Sequence, residues 1–503
     1  MPYAPPASLP RRGVVDLGSN SVRLVVYEGD SRNPMPIFNE KAVPRLGLGL
    51  QSSGRLNEEG VSRALLVMRR YYLIAKAMGA DPFEVLATAA VRDASNGADF
   101  VARLQDRMPG VPIRIISGQV EAEHSADGLL CGIPDADGIL ADIGGGSMEV
   151  VRLIRGVRDV SQSLSLGVIR LADRSGNNLE VAQKKVEADL ATVPWLKDGA
   201  GRSLYVVGGA WRALARIQMA RDAYPLLMVH NYRLTAAAAR DLTNLVAAAP
   251  LRVLERMEGA PKRRLEDLPY AAIALRRLLR VTGANQVVFS ASGLREGWFM
   301  RHMPDSIRDQ DPLLAACQEM ARRFGRDPSM PEALFDWTSP LFPRETAEER
   351  RLRLAACWVS DIGSHDHPEY RAEQAFQAVL WQSGVGFDHP TRAYLGLTVA
   401  LRYEVVADAP FLSPARHLLD GAAIARAETL GKALRLAYTL SAGTPDLLGG
   451  TNLRIQKGRL ILRLEEDHGV FAGDAVTRRL TRLGEALGLE VATETAVQRR
   501  AAE

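Results

Sequence analysis

Residues 14–26, Val-Val-Asp-Leu-Gly-Ser-Asn-Ser-Val-Arg-Leu-Val-Val, decide how this chain is read. Val14 and Val15 lead into Gly18-Ser19-Asn20-Ser21, and a β-branched run resumes from Val22 to Tyr27, so the stretch predicts two strands joined by a tight turn. The same form returns at residues 138–151, Gly-Ile-Leu-Ala-Asp-Ile-Gly-Gly-Gly-Ser-Met-Glu-Val-Val. Asp16 aligns with Asp142, Gly18 with Gly144 and Ser21 with Ser147. A repeated Asp-x-Gly-x-x-Ser order between apolar runs predicts two related lobes that present equivalent loops to one cleft.

Strand and helix signals alternate around these loops. Val61–Ala80 has the apolar spacing of an amphipathic helix, and FEVLATAAVRDASN adds a strand and a turn carrying Arg92. SLYVVGGAWRALARI reads as strand, Gly208-Gly209 turn and helix, and NQVVFSASGLREGWFM repeats that order around Gly293. Between them, Tyr232–Leu279 reads as mostly helical. From about residue 304 the pattern becomes helix-rich, and NLRIQKGRLILRL restores a β signal near the end. The expected organisation is α/β, with lobes at 1–125 and 126–303, a helical domain at 304–440 and a small α/β domain at 441–503.

Composition is that of a globular protein: 503 residues, 47% hydrophobic and 24% charged, with a formal charge of +4. That balance excludes a wholly disordered, collagen-like or coiled-coil chain, and it does not mark a nucleic-acid binder. Cys131, Cys317 and Cys357 are far apart and lack metal or disulfide spacing, which fits a reducing compartment. The opening MPYAPPASLPRR lacks the apolar segment of a secretory signal, and no later run is long and apolar enough to span a membrane. A cytoplasmic protein with no membrane partner is expected.

Glycine-rich turns suit phosphate because consecutive backbone N–H groups can converge on its oxygens. Gly18, Ser19, Asn20 and Ser21 form one candidate nest, and Gly144, Gly145, Gly146 and Ser147 the other; neither matches a P-loop or a dinucleotide fingerprint. Asp142 and Glu149 are placed to hold a divalent cation against phosphate, with Asp16 as a further candidate and turn capping as the plainer role for Asp142. Glu121, at the start of a helix after IRIISG, is a candidate proton acceptor for an attacking water, and Glu123 is its neighbour and competitor. Arg92 is a candidate phosphate clamp, with an ion pair to Asp93 as the alternative.

VVDLGSNSVRLVV, TAAVR, IISGQVEAE, ADIGGGSMEV, SLGVIRL, VVGGAWRALA and FSASGLREG follow one another in this order. Together they resemble the exopolyphosphatase and guanosine pentaphosphate phosphatase family over roughly the first 300 residues. The resemblance implies the paired-lobe, actin-like fold shared with acetate kinase, sugar kinases and Hsp70. It implies Glu121 as catalytic base, Arg92 and the two glycine loops as phosphate ligands, and Asp142 and Glu149 beside a Mg²⁺ ion. Val120 stands where the family pattern has a further acid before Glu121. Gly208 and Gly209 match the nucleotide-holding turn of kinase relatives and are kept as a secondary anion site or a structural turn.

The expected reaction is release of terminal orthophosphate from inorganic polyphosphate. The alternatives are hydrolysis of guanosine pentaphosphate at the same site and a non-hydrolytic ATP-binding regulator. Basic residues at Lys262–Arg264, Arg276-Arg277-Arg280 and along the helix after Ile424 are candidates for a polyanion channel. In the helical region, AACWVSDIG followed by SHDHPEYRAEQAF resembles a metal-phosphohydrolase domain of the His-Asp type. Ser360 there occupies the place of the histidine before Asp361, leaving His365 and His367 as the remaining candidate ligands. A homodimer is expected from the resemblance and from the helix-rich C-terminal region.

Overall fold

The computed structural model describes residues 9–406, 408–465, 469 and 471–495, and the chain divides into two compact units at Gln310/Asp311. The first unit contains two sheets. In one, β1 (Arg11–Leu17), β2 (Val22–Glu28), β3 (Pro36–Ala42), β4 (Ala80–Ala87) and β5 (Ile113–Ile115) lie in the order β3-β2-β1-β4-β5. Val14, Val15 and Leu17 are fully buried, which places β1 at the centre of the sheet with both faces covered.

The second sheet is built from β6 (Gly138–Ile143), β7 (Met148–Ile154), β8 (Val157–Leu164), β9 (Ser203–Val207), β10 (Tyr232–Thr235) and β11 (Gln286–Phe289). Its order is β10-β11-β9-β6-β7-β8. With β10 set aside, β8-β7-β6-β9-β11 reproduces β3-β2-β1-β4-β5 in order and sense: two antiparallel pairings, then two parallel ones. The repeat read from Asp-x-Gly-x-x-Ser therefore extends to the whole lobe. The difference lies at Tyr232–Thr235, expected within a helical stretch; its residues alternate buried and exposed and pair antiparallel with the edge of β11.

Local signals set the helices around these sheets. Helix Glu58–Ala77 starts where Asn57 accepts a hydrogen bond from the Gly60 amide (2.7 Å), and its buried face runs through Val61, Ala64, Leu65, Met68, Tyr71 and Ala75. Helix Gly118–Gly132 follows β5, continues through residue 125 and links the two sheets; helix Leu294–Arg301 follows β11 in the equivalent place. These two helices cross with backbones almost touching. A Cβ on Gly128 would lie 1.9 Å from the Gly293 carbonyl oxygen, and one on Gly297 would lie 1.9 Å from that of His124.

The second unit is helical through Gly421–Ser441. It ends in a three-stranded sheet of β12 (Thr451–Gln456), β13 (Arg459–Leu464) and β14 (Glu490–Thr495), with helix Asp474–Leu487 before the last strand. The three cysteines are buried free thiols. Among the described residues no helix is long and apolar enough to cross a membrane.

Candidate active site

Both glycine loops face one cleft. Its volume is about 140 Å³, and its lining includes Gly18 to Ser21, Gly144 to Ser147, Asp16, Asp142, Glu149 and Glu121. The loops are closed in the same way: the Gly18 amide donates to the Ser21 carbonyl at 3.1 Å, and the Gly144 amide to the Ser147 carbonyl at 2.9 Å. Their carbonyls are held from behind. Ser19 and Asn20 carbonyls accept from Gly47 and Arg45, while Gly144 and Gly145 carbonyls accept from Val168, Ile169 and Arg170. Among the described residues the amides of Ser19, Asn20, Gly145 and Gly146 meet no protein acceptor, which leaves donors for an anion.

The acidic end of the cleft belongs to the second lobe. Asp142 and Glu149 are direct cross-strand partners on β6 and β7, so both carboxylates emerge on one face. Asp142 Oδ2 accepts from Ser125 Oγ at 2.5 Å, and Glu149 Oε1 accepts from Ser163 Oγ at 2.7 Å. Burial and the nearby Asp142 push Glu149 up to about 7. Glu121 sits in the first turn of its helix, capped by Ser117, whose side chain accepts from the Val120 amide at 3.2 Å. Burial and Glu149 raise its pKa well above the usual carboxylate range, against the opposing pull of Arg92. Its Oε2 is buried and accepts no hydrogen bond; Arg92 Nη1 lies 3.5 Å away.

Asp142 raises Glu149, both raise Glu121, and Glu121 keeps an orphaned buried oxygen; buried carboxylates stacked in this way are the chemistry of a cation site. No group of three or more His, Cys, Asp or Glu side chains forms a complete metal cage among the described residues. Mg²⁺ does not need one, because it commonly binds through one or two carboxylates plus substrate phosphates and water. Asp16 is differently placed: its Oδ2 accepts from Arg295 Nη1 at 2.9 Å.

The cleft is also cationic. Arg23, Lys41, Arg212, Arg264 and Arg295 line it, and all five also line an adjoining chamber of about 550 Å³ that adds Arg216 and Arg263. Burial and Arg295 lower Arg212 to about 10, a sign of positive charge that an anion would relieve. Gly208 has φ +118°, and a Cβ on Gly209 would lie 2.4 Å from Arg264 Nη2, so this glycine pair lets the Arg264 guanidinium lie against the turn. Of the expected channel residues, Arg264 thus lines the cleft and Arg263 the adjoining chamber. Arg276 instead bonds Asn244 and Gln183, Arg277 pairs with Glu187, Arg426 with Glu345 and Glu349, and Arg435 with Glu404.

Glu123 and Arg92 lie outside the cleft lining. Glu123 pairs with Arg301 and Arg158. Arg92 donates to the Ile116 carbonyl (3.0 Å) and to Asp93 (3.2 Å) and stands behind Glu121. In the second unit, Asp361 is bound by Arg326 and Arg402 at 2.8–2.9 Å, and Ser360 bonds the Cys357 carbonyl and the Tyr438 hydroxyl. The carboxylate of the His-Asp-like segment is thereby neutralised by arginines.

Sequence reading did not single out Arg23, Lys41, Arg212 or Arg295. Arg212 and Arg295 stand inside the motifs VVGGAWRALA and FSASGLREG, next to the glycines that approach the cleft. Arg23 is the register partner of Asp16, the place that Glu149 holds opposite Asp142.

Duplicated sheets around a cleft lined by two glycine loops, buried carboxylates and arginines define a protein of paired α/β lobes. The model of the Ppx/GppA phosphatase family matches residues 25–306, and the chain belongs to that family. A second model, described as the C-terminal part of exopolyphosphatase, matches residues 313–493. Exopolyphosphatase 1 from Mycobacterium tuberculosis is 28% identical over 316 residues, 60% of this chain and 91% of that protein. Exopolyphosphatase 2 from the same organism is 27% identical over 253 residues, 46% of this chain and 77% of that protein. Among solved structures, an exopolyphosphatase from Cytophaga hutchinsonii shares the fold with TM-score 0.53 at 23% identity, covering 57% of this chain and 96% of that one. The Ppx/GppA enzyme from Aquifex aeolicus does so with TM-score 0.50 at 22% identity, covering 58% and 98%.

Proposed function

We propose that this protein is an exopolyphosphatase that removes terminal orthophosphate from inorganic polyphosphate. The observation that carries the reading is the make-up of the cleft: it joins three buried carboxylates and two amide-lined loops to five cations, and those five continue into the adjoining chamber. A terminal phosphate set between the loops leaves the rest of the chain to run along these cations into the adjoining chamber, where repeated phosphates meet repeated guanidinium groups.

Asp142 and Glu149 would hold Mg²⁺, which when bound neutralises charge on the phosphate oxygens. Glu121, with a raised affinity for protons and a free buried oxygen, orients and deprotonates water for in-line attack on the terminal phosphorus. The loop amides and Arg23, Arg212 and Arg295 fix the oxygens of the scissile linkage. Arg92 holds Glu121 in place from behind and offsets part of its negative charge.

The same constellation accepts the 5′-end of guanosine pentaphosphate, whose terminal phosphate is also unsubstituted, and the apolar Leu227, Met228 and Val229 beside the cations of the second chamber favour keeping this second reading. Orthophosphate release from long polyphosphate, guanosine pentaphosphate and ATP, measured side by side with Mg²⁺, separates the readings. Fastest release from polyphosphate is expected, and release from ATP alone would overturn the proposal. We also propose a homodimer, tested by sedimentation over a range of concentrations, and a cytoplasmic setting, which the three buried free thiols support.

A further inference from the structure

The two phosphate loops touch at their tips. A Cβ on Gly146 would lie 2.4 Å from Ser19 Oγ, and one on Gly145 would lie 3.2 Å from the Asn20 amide nitrogen. The Ser19, Asn20 and Gly145 carbonyls are braced from behind, so the Ser19 side chain meets Gly146 between two fixed loops. Behind it lies a separate cavity of about 10 Å³, bounded by Gly47, Leu50, Arg170 and Asp173 and sharing Ser19, Gly145 and Gly146 with the cleft. Such a space holds at most about one water molecule.

We propose that the Ser19–Gly146 contact is a gauge for the end of the substrate: it admits an unsubstituted terminal phosphate and rejects one that carries an ester. This rests on the phosphohydrolase reading above and adds the residues that decide which chain ends are accepted. A terminal phosphate presents three small oxygens to the loop amides. Esterification of one of them removes a charged acceptor and adds at least a methyl group, for which the touching loops leave no room. The gauge treats polyphosphate and a nucleoside 5′-polyphosphate alike, since both end in a bare phosphate, and excludes polyphosphates substituted at both ends, such as dinucleoside polyphosphates. Ser19 is then a specificity residue: its hydroxymethyl group is what stands between the cleft and the rear cavity.

The test uses triphosphate and its analogue methylated on both terminal phosphates as competitors of long-polyphosphate hydrolysis, in the full-length wild type and in Ser19→Gly. The wild type should bind the dimethylated compound at least about 100-fold more weakly than triphosphate. Methylation also removes charge, and the variant separates size from charge: in Ser19→Gly the ratio should shrink at least about ten-fold, because the lost hydroxymethyl joins the cleft to the rear cavity. A wild-type ratio below about ten, or a ratio unchanged in the variant, overturns the gauge. Should the variant turn over too slowly for competition, titration calorimetry of both compounds gives the same ratio. Failure of the wild type to release orthophosphate from long polyphosphate would sink the functional reading instead, while the calorimetric ratio would still decide the gauge.

Discussion

The two hairpins at the heart of the molecule, Asp16–Arg23 and Asp142–Glu149, have the same loop length, the same closing hydrogen bond and the same place in their sheets. They differ in charge at one register position: the first lobe carries Arg23 where the second carries Glu149. Around the arginine stand Arg295, Arg212 and Lys41 together with Glu296 and Asp16; around the glutamate stand Asp142 and Glu121, with Arg92 nearby. Even the shared aspartate diverges, since Asp16 is committed to Arg295 while Asp142 receives a serine hydroxyl, that of Ser125 on the helix linking the two sheets. Under the proposed function, duplication supplies a symmetric cradle for phosphate, and departures from the duplication give it a reactive end and a binding end.

Removing the reactive end should have the largest effect. Glu121→Gln is expected to lower kcat by roughly 100-fold or more while polyphosphate binding persists, read by steady-state turnover beside a binding assay. A variant that turns over normally would move the base elsewhere. Asp142→Asn should shift the Mg²⁺ titration to higher concentration by about ten-fold or more. An unmoved midpoint would remove Asp142 from the metal site.

On the binding end, Arg23→Ala should raise KM for long polyphosphate about ten-fold, the worth of one charge-assisted hydrogen bond, with a much smaller change in kcat. The reverse pattern would place Arg23 in the reactive half and erase the contrast between the hairpins.

Proton linkage gives a smaller, independent signal. Glu149 titrates higher in the folded protein, at about 7, than its ordinary value of 4.5, so the native state binds more protons between those values. In chelator, thermal stability should fall as pH rises from 4.5 through 7, and Glu149→Gln should flatten that slope. A slope identical in both proteins would show that Glu149 is not a strained acid. The smallest effect belongs to Glu123→Gln, whose partners are Arg158 and Arg301 outside the cleft; turnover should stay within about two-fold of wild type, as for other exposed ion pairs.

The placement of the carboxylates in the cleft was largely legible in sequence because the elements that carry them are local, while the choice of Glu121 over Glu123 came from the family resemblance. A β-branched run, an aspartate and a glycine turn specify both hairpin and loop, and Ser117-Gly118 before Glu121 specifies a capped helix start. The binding end is assembled from distant elements: Lys41 from edge strand β3, Arg212 and Arg295 from the starts of two helices, Arg264 from a short turn. No spacing rule links them. Charge alone misled in the other direction, because Arg426 and Arg435 look like channel residues until their acidic partners Glu345, Glu349 and Glu404 arrive from elsewhere in the chain. Arg23 was hidden by the repeat itself, which draws the eye to the matched Asp, Gly and Ser rather than to the position that differs.

The most direct test of the division between reactive and binding ends is hydrolysis of polyphosphate in ¹⁸O-labelled water. If Glu121 directs water onto the terminal phosphorus, each released orthophosphate carries one solvent oxygen and the shortened chain carries none. Label in the chain remnant, or unlabelled orthophosphate, would contradict the account.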